Sequence, residues 1–203
     1  SLSDQKEQPL SSADIQGLLD LTTTPYDSRT RSLAARILCK LYLDHEALGL
    51  AARSILEVLQ DTYDSPEADP ELLADAMQCP AVPVRVAVRS IALRRNAICS
   101  FPAAQALAFA GDDTGVEVLL MHLPSEERKL PAIKALTCVP EPILLSHSHE
   151  LLNLSEDPDP DVRLWASIAA ARCGKIGPFK KAWRDLRRQS LRPSLFDGDP
   201  EVA

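Results

Sequence analysis

One helix-start pattern recurs along this chain and constrains its fold more than any other sequence feature. The clearest copy is Asp159-Pro160-Asp161-Val162-Arg163. Asp159 can cap a helix, Pro160 suits the first helical position, and Asp161 favours the positive end of the helix dipole. A helix start that returns every few tens of residues predicts stacked helix pairs, an arrangement called an α-solenoid.

Looser copies of this pattern begin at Asp27, Val82, Ser125 and Asp199. We predict that a basic residue at the same place in each copy anchors its repeat. The predicted anchors are Arg31, Arg85, Lys129 and Arg163, together with Asp161 at the start of the clearest copy; in the third copy Arg128, one residue earlier, is the alternative to Lys129.

Two of these copies are irregular. The Lys129 copy contains Pro131, so we expect its helix either to start late or to kink, and the stack to bend there. The last copy starts an incomplete further repeat at residue 199. Because a solenoid normally closes with a polar capping repeat, we expect a fragment of a longer repeat protein or an uncapped tail.

The composition agrees with an all-helical fold. Hydrophobic residues make up 45% of the chain but aromatic residues only 4%, and the abundant alanine and leucine are good helix formers. Alternating β-branched runs are absent, which argues against a sheet. We predict a flexible lead-in at residues 1–9, followed over 10–203 by an all-α, right-handed solenoid of about four to five helix pairs.

The apolar periodicity predicts which faces form the core. In the first anchored helix Leu33, Ala34, Ile37 and Leu38 follow the spacing of one helical face, so we expect them to pack inward. Trp165 falls in step with Leu33 in its own helix, and we expect it to be a core residue as well.

An acidic stretch interrupts the helices between residues 61 and 75, where no basic residue occurs. Pro66 and Pro70 break its helical pattern. We predict an acidic loop at 61–69, with Pro70 as the first residue of the next helix. A solvated loop is the favoured interpretation, and a docking site for a basic peptide is the alternative.

Net charge and cysteine usage exclude several classes of function. The formal charge of −7 opposes non-specific binding to nucleic acid or to an anionic membrane, and no run of about 18 apolar residues could span a bilayer. The five cysteines form no CxxC pair. We therefore expect buried free thiols and a reducing, cytoplasmic compartment.

At the Asp159–Arg163 start and the alanine-rich helix after it, the chain resembles the HEAT-repeat family, including the short bacterial repeats of phycobilisome-lyase-like proteins. The resemblance covers about residues 10–203 and is closest over 159–173. It implies a scaffold or adaptor that binds a protein partner without catalysis and without a cofactor. It also implies that Arg31, Arg85 and Arg163 bridge to an aspartate of a neighbouring repeat.

The C-terminal region carries the strongest local charge. Residues 172–192 contain eight basic residues against Asp185 alone. Such a stripe can bind an acidic protein surface or phosphates, or can simply be a solvated face. The nucleic-acid alternative is similar to HEAT-like DNA glycosylases of the alkylpurine type, which use a basic concave surface. The candidate binding residues are Lys180, Lys181, Trp183, Arg184, Arg187 and Arg188.

Two His-Glu dipeptides, His45-Glu46 and His149-Glu150, suggest a metal-dependent alternative. They are similar in kind to the paired His-Glu motifs that bind two irons in the HEAT-like deoxyhypusine hydroxylases. That family needs four such motifs, and this chain has two. No nucleophile-elbow, P-loop or dinucleotide motif occurs either, so we expect a binding protein rather than an enzyme.

Overall fold

A computed structural model of the chain describes residues 10–23, 25–41, 43–65, 69–94 and 98–190, with side chains as far as residue 185. These residues form α-helices joined by loops, and no strand occurs among them, so the all-α prediction is confirmed. The predicted lead-in at 1–9 and the incomplete repeat from 199 lie outside the described residues. The chain divides into two compact units, Ser1–Ala110 and Gly111–Ala203.

The first unit contains helices whose alternate members pack side by side. Its described helices are α1 (Ser12–Leu21), α2 (Ser28–Lys40), α3 (His45–Thr62), α4 (Pro70–Gln78), α5 (Val82–Ala92) and α6 (Ser100–Phe109). Helix α4 packs against both α2 and α6, while α3 packs against α5. Most neighbours in sequence also pair, namely α1 with α2, α2 with α3, α4 with α5 and α5 with α6. These helix contacts define the core of this unit.

Aliphatic side chains and small residues fill that core. Leu38, Ile55, Leu72 and Leu107 are all completely or almost completely buried. Burial of each such side chain contributes roughly 1.5–3 kcal/mol. Alanines at the contacts, such as Ala35, let the helices approach closely, which agrees with the alanine-rich composition.

Aspartates start three of these helices. The Asp27 carboxylate accepts the Thr30 amide at 3.0 Å and so caps α2. Pro70 is the first residue of α4, as predicted. Helix α3 continues to Thr62, so the first two residues of the predicted acidic loop are helical instead.

The second unit is built around a contact between its two anchored helices. Its described helices are α7 (Asp113–Met121), α8 (Glu126–Leu136), α9 (Glu141–Ser146), α10 (Ser148–Leu154), α11 (Pro160–Arg172) and α12 (Ile176–Ser190). Helix α8 packs against α7 and α11, and α11 packs in addition against α10 and α12. The core side chains include Leu119, Ile133, Leu136, Leu151 and Val162.

The structure defines where α8 begins and how α11 ends. Helix α8 begins at Glu126 and runs through Pro131, so a late start is excluded. Helix α11 ends as a Schellman motif: Gly174 has φ +76°, and the Lys175 amide donates to the Ala170 carbonyl at 3.0 Å.

The core-face prediction was wrong for two residues of α2 and only partly met for Trp165. Leu33 and Ile37 are 55% and 38% exposed, although Ala34 and Leu38 are buried as expected. Trp165 is half-buried, and the Lys134 ammonium lies 5.5 Å from the centre of its ring. The apolar residues of α2 therefore form two faces, of which only one faces the core.

Candidate interaction surface

The four predicted anchors occupy the same helical position. Arg31, Arg85, Lys129 and Arg163 each stand four residues after the N-cap of their helix, namely Asp27, Ala81, Ser125 and Asp159. Asp161 lies in the first turn of α11 and is exposed. The sequence pattern therefore marks one place in the first turns of α2, α5, α8 and α11.

Of these anchors, Arg31 is the buried one. It is only 9% exposed. Its Nε donates to the Thr22 carbonyl at 2.8 Å, and its Nη2 lies 2.7 Å from an Asp61 carboxylate oxygen. Arg31 thus joins the end of α1 to the last turn of α3.

The anchors of the second unit converge on one loop residue. Lys129 is ion-paired with the Asp157 carboxylate. Arg163 donates to the backbone carbonyls of Asp157 and Pro158, at 2.7 and 2.6 Å, rather than to an aspartate side chain. Burial alone would raise the pKa of Asp157. The hydrogen bond from Lys129, the Asp159 amide and the charges of Lys129 and Arg163 outweigh burial and lower the pKa.

The acidic stretch supplies the partners of an arginine that the sequence analysis did not single out. Arg36 on α2 lies 2.9 Å from Asp75 and 3.6 Å from Asp69, and it also contacts Glu71. Lys40 lies 3.0 Å from Asp75, which is 7% exposed. These pairs fasten α2 to α4. No local spacing signals them, because the partners are separated by more than thirty residues.

A cavity of about 920 Å³ opens between the starts of α2 and α4. The Ser32 hydroxyl beside it is buried and has no hydrogen-bond partner. Two acidic side chains of the cavity, Asp69 and Glu71, contact Arg36, so the lining carries charges of both signs. The lining includes Arg29, Ser32, Leu33, Arg36, Asp69 and Glu71.

The predicted basic surface lies on α12 and is partly engaged. Lys181 lies 3.0 Å from a carboxylate oxygen of Glu156, and the Arg184 Nε donates to the Lys180 carbonyl at 3.2 Å. Trp183 is 56% exposed and stacks with Phe179 at a ring-centre separation of 6.4 Å. Arg187 and Arg188 belong to the same helix, but their side chains lie outside the described residues.

The two His-Glu dipeptides lie in different units. His45 and Glu46 are exposed in the first turn of α3. His149 and Glu150 are exposed on α10, where the His149 ring contacts the Asn153 amide at 3.3 Å. Within the described part of the chain, no group of three or more histidine, cysteine or acidic side chains is placed to hold a metal ion.

All five cysteines are free thiols, but the prediction that they are buried was wrong for Cys138, which is exposed. Two of the buried thiols, Cys39 on α2 and Cys79 at the end of α4, interact. The Cys39 and Cys79 thiols are hydrogen-bonded to each other, although the residues are far apart in sequence. The pKa of Cys39 is raised by this interaction and by burial. The Cys79 pKa is lowered to about 6 by the Cys39 hydrogen bond, against burial and with help from the Ala81 amide and the Arg85 charge.

The clearest exposed row of large apolar side chains lies on α5 and its C-cap residue Leu93, and sequence reasoning missed it. Val82, Val86 and Leu93 are 60%, 51% and 54% exposed, and Arg89 is exposed between them. The steps of four, three and four residues place these side chains on one helical stripe. That stripe is opposite the buried face, which holds Val84, Val88, Ile91 and Ala92. We call Val82, Val86, Arg89 and Leu93 the α5 outer stripe.

Comparison with known proteins gives no relative: no family model matches, nor does any curated protein or solved structure. Among the described helices, none combines the length and apolarity that a membrane-spanning segment requires.

Proposed function

We propose that this chain is a non-catalytic scaffold or adaptor of the HEAT-like, α-solenoid type that binds a protein partner. The α5 outer stripe carries this proposal. A helix that already buries one apolar face has no folding reason to expose a second row of large apolar side chains. Exposed apolar rows of this kind mark interaction sites.

The helix arrangement of each unit supports the solenoid part of the proposal. In the first unit α4 lies beside α2 and α6, and α3 lies beside α5, as in stacked helix pairs. In the second unit the two anchored helices α8 and α11 pack against each other. The shared position of the four anchors is what a degenerate helical repeat would produce.

The basic residues of α12 supply a second candidate surface. Trp183 is exposed beside Lys180 and Arg184, and aromatic and arginine side chains are enriched at protein interfaces. An acidic protein is the partner that this surface favours, since the chain as a whole carries a charge of −7 that opposes nucleic acid.

Photo-crosslinking in the native host tests the proposal. A photoreactive amino acid would replace Val86 on α5, Trp183 on α12, or Leu145 on α9, which is 47% exposed and serves as the control. We expect a discrete protein adduct at position 86 that disappears when Val82→Asp is added to the same chain. Equal adducts at positions 86 and 145, or an adduct that ignores Val82→Asp, would count against α5. An adduct at position 183 would identify α12 as a second binding surface.

A further inference from the structure

Two buried thiols meet where α2 packs against α4. Cys39 is the next-to-last residue of α2, and Cys79 is the C-cap residue that follows α4. They are 2% and 1% exposed, and both are free. Each thiol has the other as a side-chain partner. The fold therefore places two reduced sulfur atoms together at one contact between helices.

The ion pairs between α2 and α4 fix this register independently of the thiols. Asp75 lies 2.9 Å from Nε of Arg36 and 3.0 Å from Nζ of Lys40, which stand on either side of Cys39. Because both helices begin at the same cavity, they run in the same direction. Cys79 follows Asp75 by four residues, or about one helical turn, and so comes level with the end of α2. The meeting of the two thiols thus follows from how the helices are held together.

Cys79 is the thiol of the pair that ionises more readily. Its pKa is lowered to about 6 by Cys39, by the Ala81 amide and by the charge of Arg85, against burial. Ala81 is the N-cap residue of α5, and a helix N-terminus is a common location for a reactive cysteine. The pKa of Cys39 is raised by the same interaction and by burial. The pair therefore combines a nucleophilic thiolate with a second, protonated thiol beside it.

We propose that Cys79 is a site of oxidation by hydroperoxides, and that Cys39 converts the oxidised residue into a reversible disulfide that fastens α2 to α4. Both cysteines lie at helix ends, which open locally at lower free energy than the middle of a core helix and so admit a small peroxide. A transient disulfide of this kind is typical of redox-responsive proteins in reducing compartments.

The chemistry takes place in two steps. The Cys79 thiolate attacks the terminal oxygen of the peroxide, so that an S–O bond forms, the O–O bond breaks and hydroxide or alkoxide leaves. Cys79 has then lost two electrons and is a sulfenic acid. Cys39 attacks its sulfur, the S–S bond forms, the S–O bond breaks, and hydroxide leaves as water with the Cys39 proton. Two thiols and one hydrogen peroxide thereby give one disulfide and two water molecules.

The other buried thiols provide internal controls. Cys99 and Cys173 are also free and buried, and burial raises the pKa of each. All five cysteines belong to the described residues, and no second thiol contributes to the pKa shift of either control. They should therefore react more slowly than Cys79 and form no disulfide within the chain.

Peptide mapping of the full chain after brief treatment with hydrogen peroxide tests the proposal. Trypsin releases Cys39 on residues 37–40 and Cys79 on residues 54–85. We expect these two peptides to be joined, and to separate after dithiothreitol, at peroxide doses that leave Cys99 and Cys173 reduced. This measurement needs only the wild-type chain, so it does not depend on the folding of a variant.

Three variants separate the two steps. In Cys39→Ala the Cys79 sulfenic acid should persist, and dimedone should trap at least about fivefold more of it than in wild type. In Cys79→Ala we expect Cys39 to stay reduced. Cys173→Ala is the matched control, because it also loses one buried thiol; its disulfide should form at a rate within about twofold of wild type.

The disulfide should also raise the Tm of the first unit by about 5 °C or more, because it restricts the unfolded chain between residues 39 and 79. The increase should disappear after dithiothreitol and be absent in Cys79→Ala. Slower hydrogen exchange of the α2 and α4 amides after oxidation would assign the change to this pair of helices.

Several results would overturn the inference. These are oxidation of Cys99 or Cys173 as fast as that of Cys79, disulfides between copies instead of within one chain, a sulfenic acid that persists in wild type, or an unchanged Tm after complete disulfide formation. None of these measurements depends on the adduct at position 86, so the inference and the proposed binding function can fail separately.

Discussion

Arg31 on α2 and Asp61 in the last turn of α3 form an ion pair, with Nη2 and Oδ2 2.7 Å apart. The same guanidinium donates to the carbonyl of Thr22, a residue that is 1% exposed. One side chain thereby connects α1, α2 and α3. Arg85 has the same position in α5, four residues after the N-cap, but it is exposed. Comparing Arg31 with Arg85 therefore separates the effect of this helical position from the effect of the buried contacts that Arg31 makes.

Arg31→Ala should lower the free energy of unfolding by about 2–3 kcal/mol, because the buried Thr22 carbonyl loses its donor and the packed stem of the arginine is removed. Arg85→Ala should change it by less than about 0.5 kcal/mol. Hydrogen exchange of the α1–α3 amides, together with urea unfolding, measures both. Equal losses would show that the helical position matters and the buried contact does not.

Asp157→Asn should destabilise the second unit by about 1–2 kcal/mol at neutral pH, because Lys129 and Arg163 lose a nearby negative charge. The folded pKa of Asp157 is lowered from 3.8. Its contribution is therefore present above the unfolded pKa and is lost as pH falls through the lower folded pKa. Tryptophan fluorescence reports on this unit, since Trp165 and Trp183 both belong to it.

The control for that titration is Glu156→Gln. Glu156 and Lys181 also form an ion pair, but both side chains are more than half exposed. The expected change is below about 0.5 kcal/mol at every pH. A difference between wild type and Asp157→Asn that persists unchanged in acid would contradict the assigned role of the carboxylate.

Cys39→Ala should raise the pKa of Cys79, because the interaction with Cys39 is the largest cause of the lowered Cys79 pKa. In the wild type the lowered Cys79 pKa of about 6 contributes stability that is present above the unfolded thiol pKa of about 8.5 and lost as pH falls through 6. Ultraviolet absorbance of the thiolate, with Cys79→Ser as the blank, measures the shift. A Cys79 titration that is the same with and without Cys39 would refute the pairing.

Gly174→Ala should destabilise the end of α11 by about 1 kcal/mol, because the residue has φ +76° and L side chains strain that conformation. The space around Gly174 is open, so strain rather than collision is tested. Gly177 on α12 also has open space and no positive φ, and Gly177→Ala should be neutral or slightly stabilising. Thermal unfolding compares the two, and an equal effect would argue against backbone strain.

Features set by neighbours in sequence could be predicted here. Asp27 and Asp159 cap helices because a carboxylate reaches amides two or three residues ahead, and the anchors follow four residues after each cap. Pro70 starts α4 for a similar local reason. These local rules were sufficient to predict an all-α chain.

Features that depend on contacts between distant segments could not be predicted in this way. Nothing in the spacing of Arg36 points to Asp75, or in that of Cys39 to Cys79, because the pairing requires α2 to lie beside α4. Leu33 and Leu38 are equally apolar, and only the neighbouring helices decide that Leu38 is buried. The exposure of the α5 outer stripe could not be predicted either, because the helices packed around α5 decide which of its apolar side chains are buried.

A helix with apolar side chains on opposite sides could pack either side into the core while the chain folds. If α5 turned by half a revolution, Val82, Val86 and Leu93 could fill the space of Val84, Val88 and Ile91 with similar volume. Arg89 opposes this exchange, because its charged guanidinium would then have to enter the apolar interior of the unit. A charged residue within the exposed row of α5 therefore also protects the chain from a misfolded, inverted helix.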